Sequence, residues 1–116
     1  MRMDEVDILI LSLLSKNKKL TTSMLAKQIF QPKNNHELTN VNSVIYYRLH
    51  KLLEYRLVKE TERKNGKKYY FLDFKNIILG KGFVYVKPVG VKRGRRIFLN
   101  KLFVFMDNKI CHTFGF

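Results

Sequence analysis

Cationic and aromatic side chains recur every three or four residues between Asn42 and Tyr55, which places them on one side of a predicted helix. Arg48 and Lys51 carry positive charges on this side, and Tyr47 carries a hydroxyl group. Such groups donate hydrogen bonds to anionic oxygens. The spacing therefore indicates a surface that binds a negatively charged partner, although a solvated helix face would have the same pattern. This exposed side consists of Val44, Tyr47, Arg48, Lys51 and Tyr55.

Two further groups of cationic residues lie in predicted turns. The first surrounds Asn65-Gly66, a dipeptide typical of tight hairpins because both turn positions need a positive φ. Four charges exceed what the protection of a sheet edge requires, which favours contact with a partner. The second lies in a segment that we interpret as a charged hairpin loop. The first group is Arg63, Lys64, Lys67 and Lys68, and the second is Lys92, Arg93, Arg95 and Arg96.

The whole chain is strongly basic. Its 116 residues include 23 Lys and Arg against 9 Asp and Glu, a net charge of +14. Self-repulsion at this charge disfavours a compact state, and a polyanion would relieve it. Nucleic acid is therefore the first candidate partner and an anionic membrane surface the second. A hydrophobic content of 46% is sufficient for one packed core.

Several classes of activity lack the residues that they need. The single cysteine, Cys111, cannot form an intrachain disulfide, and its neighbour His112 is badly spaced for a shared metal. We find no phosphate-binding loop and no Ser/His/Asp set, and the acidic residues are few and scattered. The sequence predicts a binding protein rather than an enzyme, with no catalytic residues, no cofactor and no metal.

The apolar runs and the N-terminal segment bear on location. No apolar run approaches the roughly 20 residues of a membrane span, and the acidic start is unlike a signal peptide. We therefore expect a cytoplasmic protein that does not enter a membrane.

The first predicted helix begins at the capping residue Asp4 and runs to about Ser15. Ile8 and Leu11 fall outside its apolar stripe, so either a partner subunit or the C-terminal segment must cover them. The stripe itself comprises Val6, Leu9, Ile10, Leu13 and Leu14.

Two more helices are predicted before the first strand. Thr21 or Thr22 caps a second helix that ends near Phe30, and residues 31–37 read as a loop because of Pro32 and two asparagines. A third helix, at 41–56, has caps available in Thr39, Asn40 and Asn42. The expected inward residues are Met24, Leu25, Ile29 and Phe30 on the second helix, and Ile45, Leu49, Leu52 and Leu53 on the third.

Strands dominate the remainder of the chain. Residues 57–62 and 67–74 predict two strands joined at Asn65-Gly66. Residues 80–116 predict two or three more, with a turn at Asp107-Asn108, which either extend this sheet or form a second one.

The predicted order of three helices followed by a β-hairpin resembles the winged helix-turn-helix superfamily. The apolar positions Ile45, Leu49 and Leu52, followed by Leu57-Val58, are similar to the third helix and strand entry of PadR-like and related transcriptional regulators. The run from Lys67 to Leu72 is similar to their second wing strand, and Arg56 stands where they commonly have glycine. The resemblance covers residues 4–74. It implies an α+β fold in which a winged helix-turn-helix domain (1–75) of three helices and a β-hairpin wing precedes a C-terminal β-strand extension (76–116).

The resemblance also implies a function: sequence-specific binding of double-stranded DNA by a transcriptional regulator. Helix 41–56 would enter the major groove, and wing 59–72 would contact the backbone or minor groove. Arg48 and Lys51 would bond guanine or phosphates, Tyr47 a phosphate, and Val44 a thymine methyl. Asn42 and Ser43, near the helix start, would meet base edges or a phosphate. The implied DNA-binding residues are Asn42, Ser43, Val44, Tyr47, Arg48, Lys51, Arg63, Lys64, Lys67, Lys68, Lys92, Arg93, Arg95 and Arg96.

Two matters stay open. A homodimer would present two recognition helices about 34 Å apart to a pseudo-palindromic site. Exposed aromatics in the basic C-terminal segment, such as Tyr85 and Phe98, support a second hypothesis, an RNA-binding or single-strand-binding module. An architectural module or a protein-interaction winged helix is a further alternative.

Overall fold

The computed structural model describes residues 3–80 and 83–98. These residues form three helices and two three-stranded antiparallel sheets, so the predicted α+β class is confirmed. The helices are α1 (Glu5–Lys16), α2 (Thr22–Phe30) and α3 (Asn35–Glu54). The strands are β1 (Leu20–Thr21), β2 (Val58–Glu60), β3 (Tyr69–Leu72), β4 (Ile77–Gly80), β5 (Phe83–Val86) and β6 (Arg95–Phe98).

The first sheet joins the helical part of the chain to the hairpin. Its strand order is β1-β3-β2, so the short strand between α1 and α2 pairs with the returning strand of the hairpin. Thr21 lies opposite Tyr69, and Val58 lies opposite Leu72. This pairing holds the hairpin beside the start of α2.

The predicted caps of the first two helices are confirmed. The Asp4 carboxylate accepts a hydrogen bond from the Asp7 N–H, and the Asp7 carboxylate accepts one from the Asp4 N–H, which is a capping box. The Thr21 hydroxyl oxygen accepts from the Met24 N–H at 3.1 Å. The helix α2 ends at Phe30, where Gln31 adopts a left-handed conformation before Pro32.

The inward face of α2 is narrower than the sequence predicts. Leu25 and Ile29 are buried as expected, but Met24 and Phe30 are 40% and 36% exposed. The small residue Ala26 fills the third buried position, because it lets α2 approach its neighbours closely.

The prediction for the start of α3 is wrong. The helix begins at Asn35, six residues earlier than expected, and includes the last three residues of the predicted loop. The Asn34 side-chain oxygen accepts from the Glu37 N–H at 2.8 Å, and the Glu37 carboxylate accepts from the Lys33 N–H. Asparagine favours both turns and helix caps, and here it acts as the cap. Ile45, Leu49 and Leu52 are buried as predicted, whereas Leu53 is only half-buried.

The C-terminal end of α3 turns sharply into β2. The Leu57 N–H donates to the Leu52 carbonyl at 2.9 Å, and the Arg56 N–H donates to the Leu53 carbonyl at 3.0 Å. These two bonds form a Schellman motif, which requires a left-handed residue at Arg56. Arg56 has a φ of 59°, a conformation that glycine adopts without a steric penalty.

The C-terminal strands form a sheet of their own, with strand order β4-β5-β6. Its inner face contributes Ile77, Val84, Val86 and Ile97 to the same hydrophobic cluster as the helices. Leu11 is fully buried within the single chain and Ile8 is half-buried, so Leu11 needs no partner subunit to cover it. The predicted strands beyond residue 98, the turn at Asp107-Asn108 and the Cys111-His112 pair lie outside the described residues.

We expect Arg56→Gly to raise the free energy of unfolding by about 0.5–1 kcal/mol, because glycine removes the steric cost of the left-handed conformation. The Asn76 side chain donates to the Arg56 carbonyl, a backbone contact that glycine keeps. Urea unfolding measures the change. Arg56→Ala is the control, since it removes the same charge but keeps the strain. Equal stabilities of the two variants would contradict the prediction.

Candidate functional site

The α3 helix has two partly exposed sides, and one of them borders α1. The cations predicted for the partner-binding surface, Arg48 and Lys51, lie on the side next to α1. The Arg48 guanidinium forms an ion pair with Asp4 and lies 3.8 Å from an Asp7 carboxylate oxygen. The Lys51 ammonium donates a hydrogen bond to the same Asp7 oxygen. Arg48 and Lys51 are thus engaged within the fold, which corrects the expectation that they lie on an open ridge. Val44, on the same side, is 39% exposed.

Asp7 explains this arrangement. Its side chain is fully buried, and a buried carboxylate is costly unless cations or hydrogen-bond donors surround it. It receives the Asp4 N–H and the Lys51 ammonium, while its other oxygen, Oδ1, has no hydrogen-bond partner among the described residues. From the sequence alone, Asp4, Glu5 and Asp7 are expected only to complement the positive N-terminal end of α1.

The two carboxyl groups are shifted in opposite directions. Burial raises the pKa of Asp7 above 3.8, and the hydrogen bond from Lys51 opposes only part of that rise. Burial would also raise the pKa of Asp4, but the Asp7 N–H and the Arg48 charge outweigh it, so the Asp4 pKa is lowered. The Asp7 titration therefore reduces stability as the pH rises past 3.8, and the Asp4 titration increases it.

The other exposed side of α3 carries aromatic rings and no cationic side chain near Tyr46 and Tyr47. Tyr47 is 75% exposed and Tyr46 is 49% exposed. The Tyr46 ring lies 4.2 Å from the His50 ring and 6.5 Å from the Tyr47 ring, both in edge-on geometry. Thr39 and Ser43 continue this side toward the helix start.

Sequence reasoning found Tyr47 and Ser43 but missed Thr39, Tyr46 and His50. The signal was present, because positions 39, 43, 46 and 50 follow helical spacing. This spacing was overlooked because the binding surface was assigned to the side of the helix that carries the charged residues Arg48 and Lys51.

Asn42 and Ser43 do not lie near the helix start as predicted. They lie in the middle of α3, about two turns after Asn35, so the free N–H groups of the helix N-terminus are not beside them. The Asn42 amide nitrogen is 3.5 Å from the Ser23 hydroxyl, which joins α3 to α2. Ser43 is exposed.

The hairpin tip has the predicted geometry. Asn65 and Gly66 have φ values of 51° and 75°, and Lys64 and Lys67 exchange two 2.9 Å backbone hydrogen bonds across the turn. The Arg63 guanidinium donates to the Gly66 carbonyl at 2.9 Å, and this bond holds its charge at the tip.

The four cationic side chains of the hairpin tip differ in whether they form an ion pair within the protein. Lys68 pairs with Glu60 across the strands at 3.4 Å. Lys64 and Lys67 are exposed, and neither side chain forms an ion pair with any residue in the described ranges.

A continuous concave strip joins α3 to the hairpin. One groove, of about 440 Å³, lies between Thr22 and the exposed side of α3. A second, of about 500 Å³, shares Thr22 and Tyr46 with the first and extends to the hairpin. We call the two together the α3–hairpin groove. Its lining residues include Thr22, Ser23, Lys27, Thr39, Ser43, Tyr46, Tyr47, Arg63, Lys67 and Lys68.

The second cationic group lies apart from this groove. Lys92 and Arg93 are exposed in the connection between β5 and β6, and Arg95 and Arg96 belong to β6. None of the four lines the α3–hairpin groove. The structure therefore divides the predicted binding residues into two surfaces and an internal ion-pair cluster.

Residues 3–80 and 83–98 contain neither a metal-ligand cluster nor a membrane-spanning helix. No three His, Cys, Asp or Glu side chains there converge as metal ligands. No helix in those ranges combines the length and the apolar content that crossing a bilayer requires.

Comparison with known proteins yields no relative. No protein-family model, no curated protein and no solved structure matches this chain. The functional proposals therefore depend on the geometry and charge of the described residues.

We expect Lys51→Met to destabilise the protein by about 1–3 kcal/mol at neutral pH, because it leaves the Asp7 charge buried without its closest cation. The deficit should shrink toward about pH 4, since Asp7 takes up a proton there at lower cost. Thermal unfolding across this pH range measures both effects.

Two controls accompany this variant. Lys75→Met removes one exposed lysine and should change stability little at either pH. Lys51→Met combined with Asp7→Asn should lose the pH dependence. A deficit that is equal at both pH values in Lys51→Met would show that Asp7 is not the group affected.

Proposed function

We propose that this protein is a winged helix-turn-helix protein that binds double-stranded DNA sequence-specifically and regulates transcription. In this proposal α3 enters the major groove, and the hairpin from Val58 to Leu72 is the wing that contacts the backbone or the minor groove.

The order and pairing of the elements support the proposal. Three helices precede a hairpin, and the strand between the first two helices pairs with the hairpin's second strand. This agrees with the fold implied by the resemblance of residues 4–74. It also sets the exposed side of α3 and the hairpin tip at the same groove.

The α3–hairpin groove is the observation that carries the proposal. Its α3 side offers hydroxyl and aromatic groups suited to base edges, and its hairpin side offers cations suited to phosphates. Thr22 and Ser23 lie between them at the start of α2, where backbone N–H groups favour an anion. The net charge of +14 favours the same polyanionic partner.

The roles of individual residues differ from those first implied. Tyr47 and Ser43 are the proposed base-contacting residues, in place of Arg48 and Lys51. Lys64 and Lys67 are the proposed phosphate contacts of the wing. We retain the homodimer as part of the proposal, because a symmetric pair of α3 helices would double the contacted sequence.

We expect selection of bound duplexes from a random pool to return a defined site, with paired half-sites about one helical turn apart if the protein binds as a dimer. Tyr47→Ala should relax the preference at one or two positions of each half-site, with a loss of about 1–3 kcal/mol of discrimination. Recovery of random sequences would contradict sequence-specific binding.

Arg48→Gln is the matched control for this selection, because its side chain faces α1. It should lower stability through the lost Asp4 ion pair yet leave the selected sequence unchanged. If Arg48→Gln changed the selected sequence and Tyr47→Ala did not, the bases would contact the Arg48 side of α3 and the proposed assignment to the Tyr47 side would be wrong.

We expect the double variant Lys64→Gln/Lys67→Gln to weaken binding to all duplexes alike. The slope of log affinity against log salt should become shallower by about 2, since two phosphate contacts are lost. Fluorescence anisotropy in a salt series measures the slope. Lys75→Gln/Lys87→Gln removes the same charge from exposed positions outside the α3–hairpin groove. Equal slopes for the two double variants would rule out the wing contact.

A further inference from the structure

The second sheet has an outer face that no described element covers. Side chains on β5 alternate, so Val84 and Val86 point into the core while Phe83 and Tyr85 point outward. The register places Phe98 opposite Phe83 on this face, and Arg96 and Ile78 on either side of Tyr85. We call this surface the aromatic face; its residues are Ile78, Phe83, Tyr85, Arg96 and Phe98.

Two glycines let the central rings lie flat on the sheet. A Cβ atom at Gly80 would overlap the Phe83 ring, and one at Gly94 would overlap the Tyr85 ring. The Tyr85 hydroxyl oxygen also accepts the Gly94 N–H at 3.1 Å, which fixes the position of the ring. The Phe83 ring therefore lies over Gly80 of β4, and the Tyr85 ring lies over Gly94, just before β6.

Positive charge accompanies these rings. The Arg96 guanidinium lies 5.0 Å from the centre of the Phe83 ring, within the range of a cation–π contact. The Phe83 and Phe98 ring centres are 6.2 Å apart, and Phe98 is 63% exposed. Lys92 and Arg93 are exposed in the loop before β6, whereas Arg95 lies on the opposite face of β6 from Arg96 and Phe98.

We propose that the aromatic face binds single-stranded nucleic acid, with unpaired bases stacked on Phe98 and its neighbours and phosphates held by Arg96 and the adjacent cations. Exposed aromatic rings beside cations on a sheet suit bases whose faces are free, and those faces are covered in a duplex. This site is separate from the α3–hairpin groove and does not depend on duplex binding there.

Charge favours this occupant over a second copy of the chain. A two-fold contact through the aromatic face would bring Arg96 and the nearby cations of one subunit toward those of the other. Like charges at a shared interface oppose association, whereas a polyanionic strand is attracted.

Phe98→Trp provides a direct probe, because the chain contains no tryptophan and position 98 is exposed. Titration of the full-length variant with a 20-nucleotide oligothymidine, and with oligouridine of the same length, should quench the tryptophan fluorescence. An equal amount of the matching duplex should not. Absence of quenching at concentrations that saturate strand binding, or stronger quenching by the duplex, would overturn the proposal.

Substitutions at two exposed positions, Phe98 and Arg96, measure how much each side chain contributes to the affinity for a single strand. Phe98→Ala should weaken oligothymidine binding about 5- to 100-fold, as loss of one stacked base predicts, and leave duplex binding within about two-fold. Arg96→Gln should weaken it and make it less sensitive to salt. Lys64→Gln/Lys67→Gln, in the hairpin, is the control that should leave the affinity for oligothymidine within about two-fold.

Three results would each overturn the proposal. The first is unchanged oligothymidine affinity in Phe98→Ala. The second is loss of that affinity in the hairpin control alone, which would assign strand binding to the α3–hairpin groove. The third, measured by sedimentation, is a dimer that dissociates in Phe98→Ala without loss of strand binding, which would make the face a self-interface. Failure of duplex binding would overturn only the earlier proposal.

Discussion

The buried carboxylate of Asp7 is the constraint on which the rest of the arrangement depends. A fully buried charge must be compensated, and the cations that compensate it come from α3. Lys51 and Arg48 bind the start of α1, and this contact joins α1 to α3. The same contact engages both cations that the sequence predicted for a partner-binding surface. What α3 presents to its surroundings is consequently its other side, which carries hydroxyl and aromatic groups.

The positive charge that remains is distributed over two surfaces of different chemistry. The hairpin tip combines the exposed Lys64 and Lys67 with Arg63, whose bond to Gly66 holds one charge in place, and it borders a groove lined by α3. The second sheet combines its cations with rings that lie flat over glycines. A groove between a helix and a hairpin suits double-stranded DNA, while a sheet surface that exposes aromatic rings suits the unpaired bases of a single strand. The two proposals thus follow from shape as much as from charge.

Local signals in the sequence predicted local structure well. The caps at Asp4 and Thr21, the turn at Asn65-Gly66 and the buried positions Ile45, Leu49 and Leu52 all depend on residues within one or two turns of one another. The start of α3 was missed because Asn34 is equally suited to a turn and to a helix cap, and the contacts of the finished helix decide between them. Met24 and Phe30 were misassigned because α2 buries only a narrow stripe, whose width its neighbours set.

By itself the sequence determined the order of the three helices and the hairpin, the geometry of the hairpin tip and the excess of positive charge, because each is a property of neighbouring residues or of composition. The short strand β1 (Leu20–Thr21) was not predicted, because it exists only through its pairing with β3. Only the tertiary structure decided which side of α3 is free. That choice depends on Lys51 meeting Asp7, a pair separated by 44 positions in the chain. Helical spacing groups Tyr47, Arg48 and Lys51 on one broad side, and nothing in the spacing shows that an acidic residue from another helix engages two of the three. The packing of α1 against α3 makes that distinction, since it brings the buried Asp7 carboxylate next to Arg48 and Lys51.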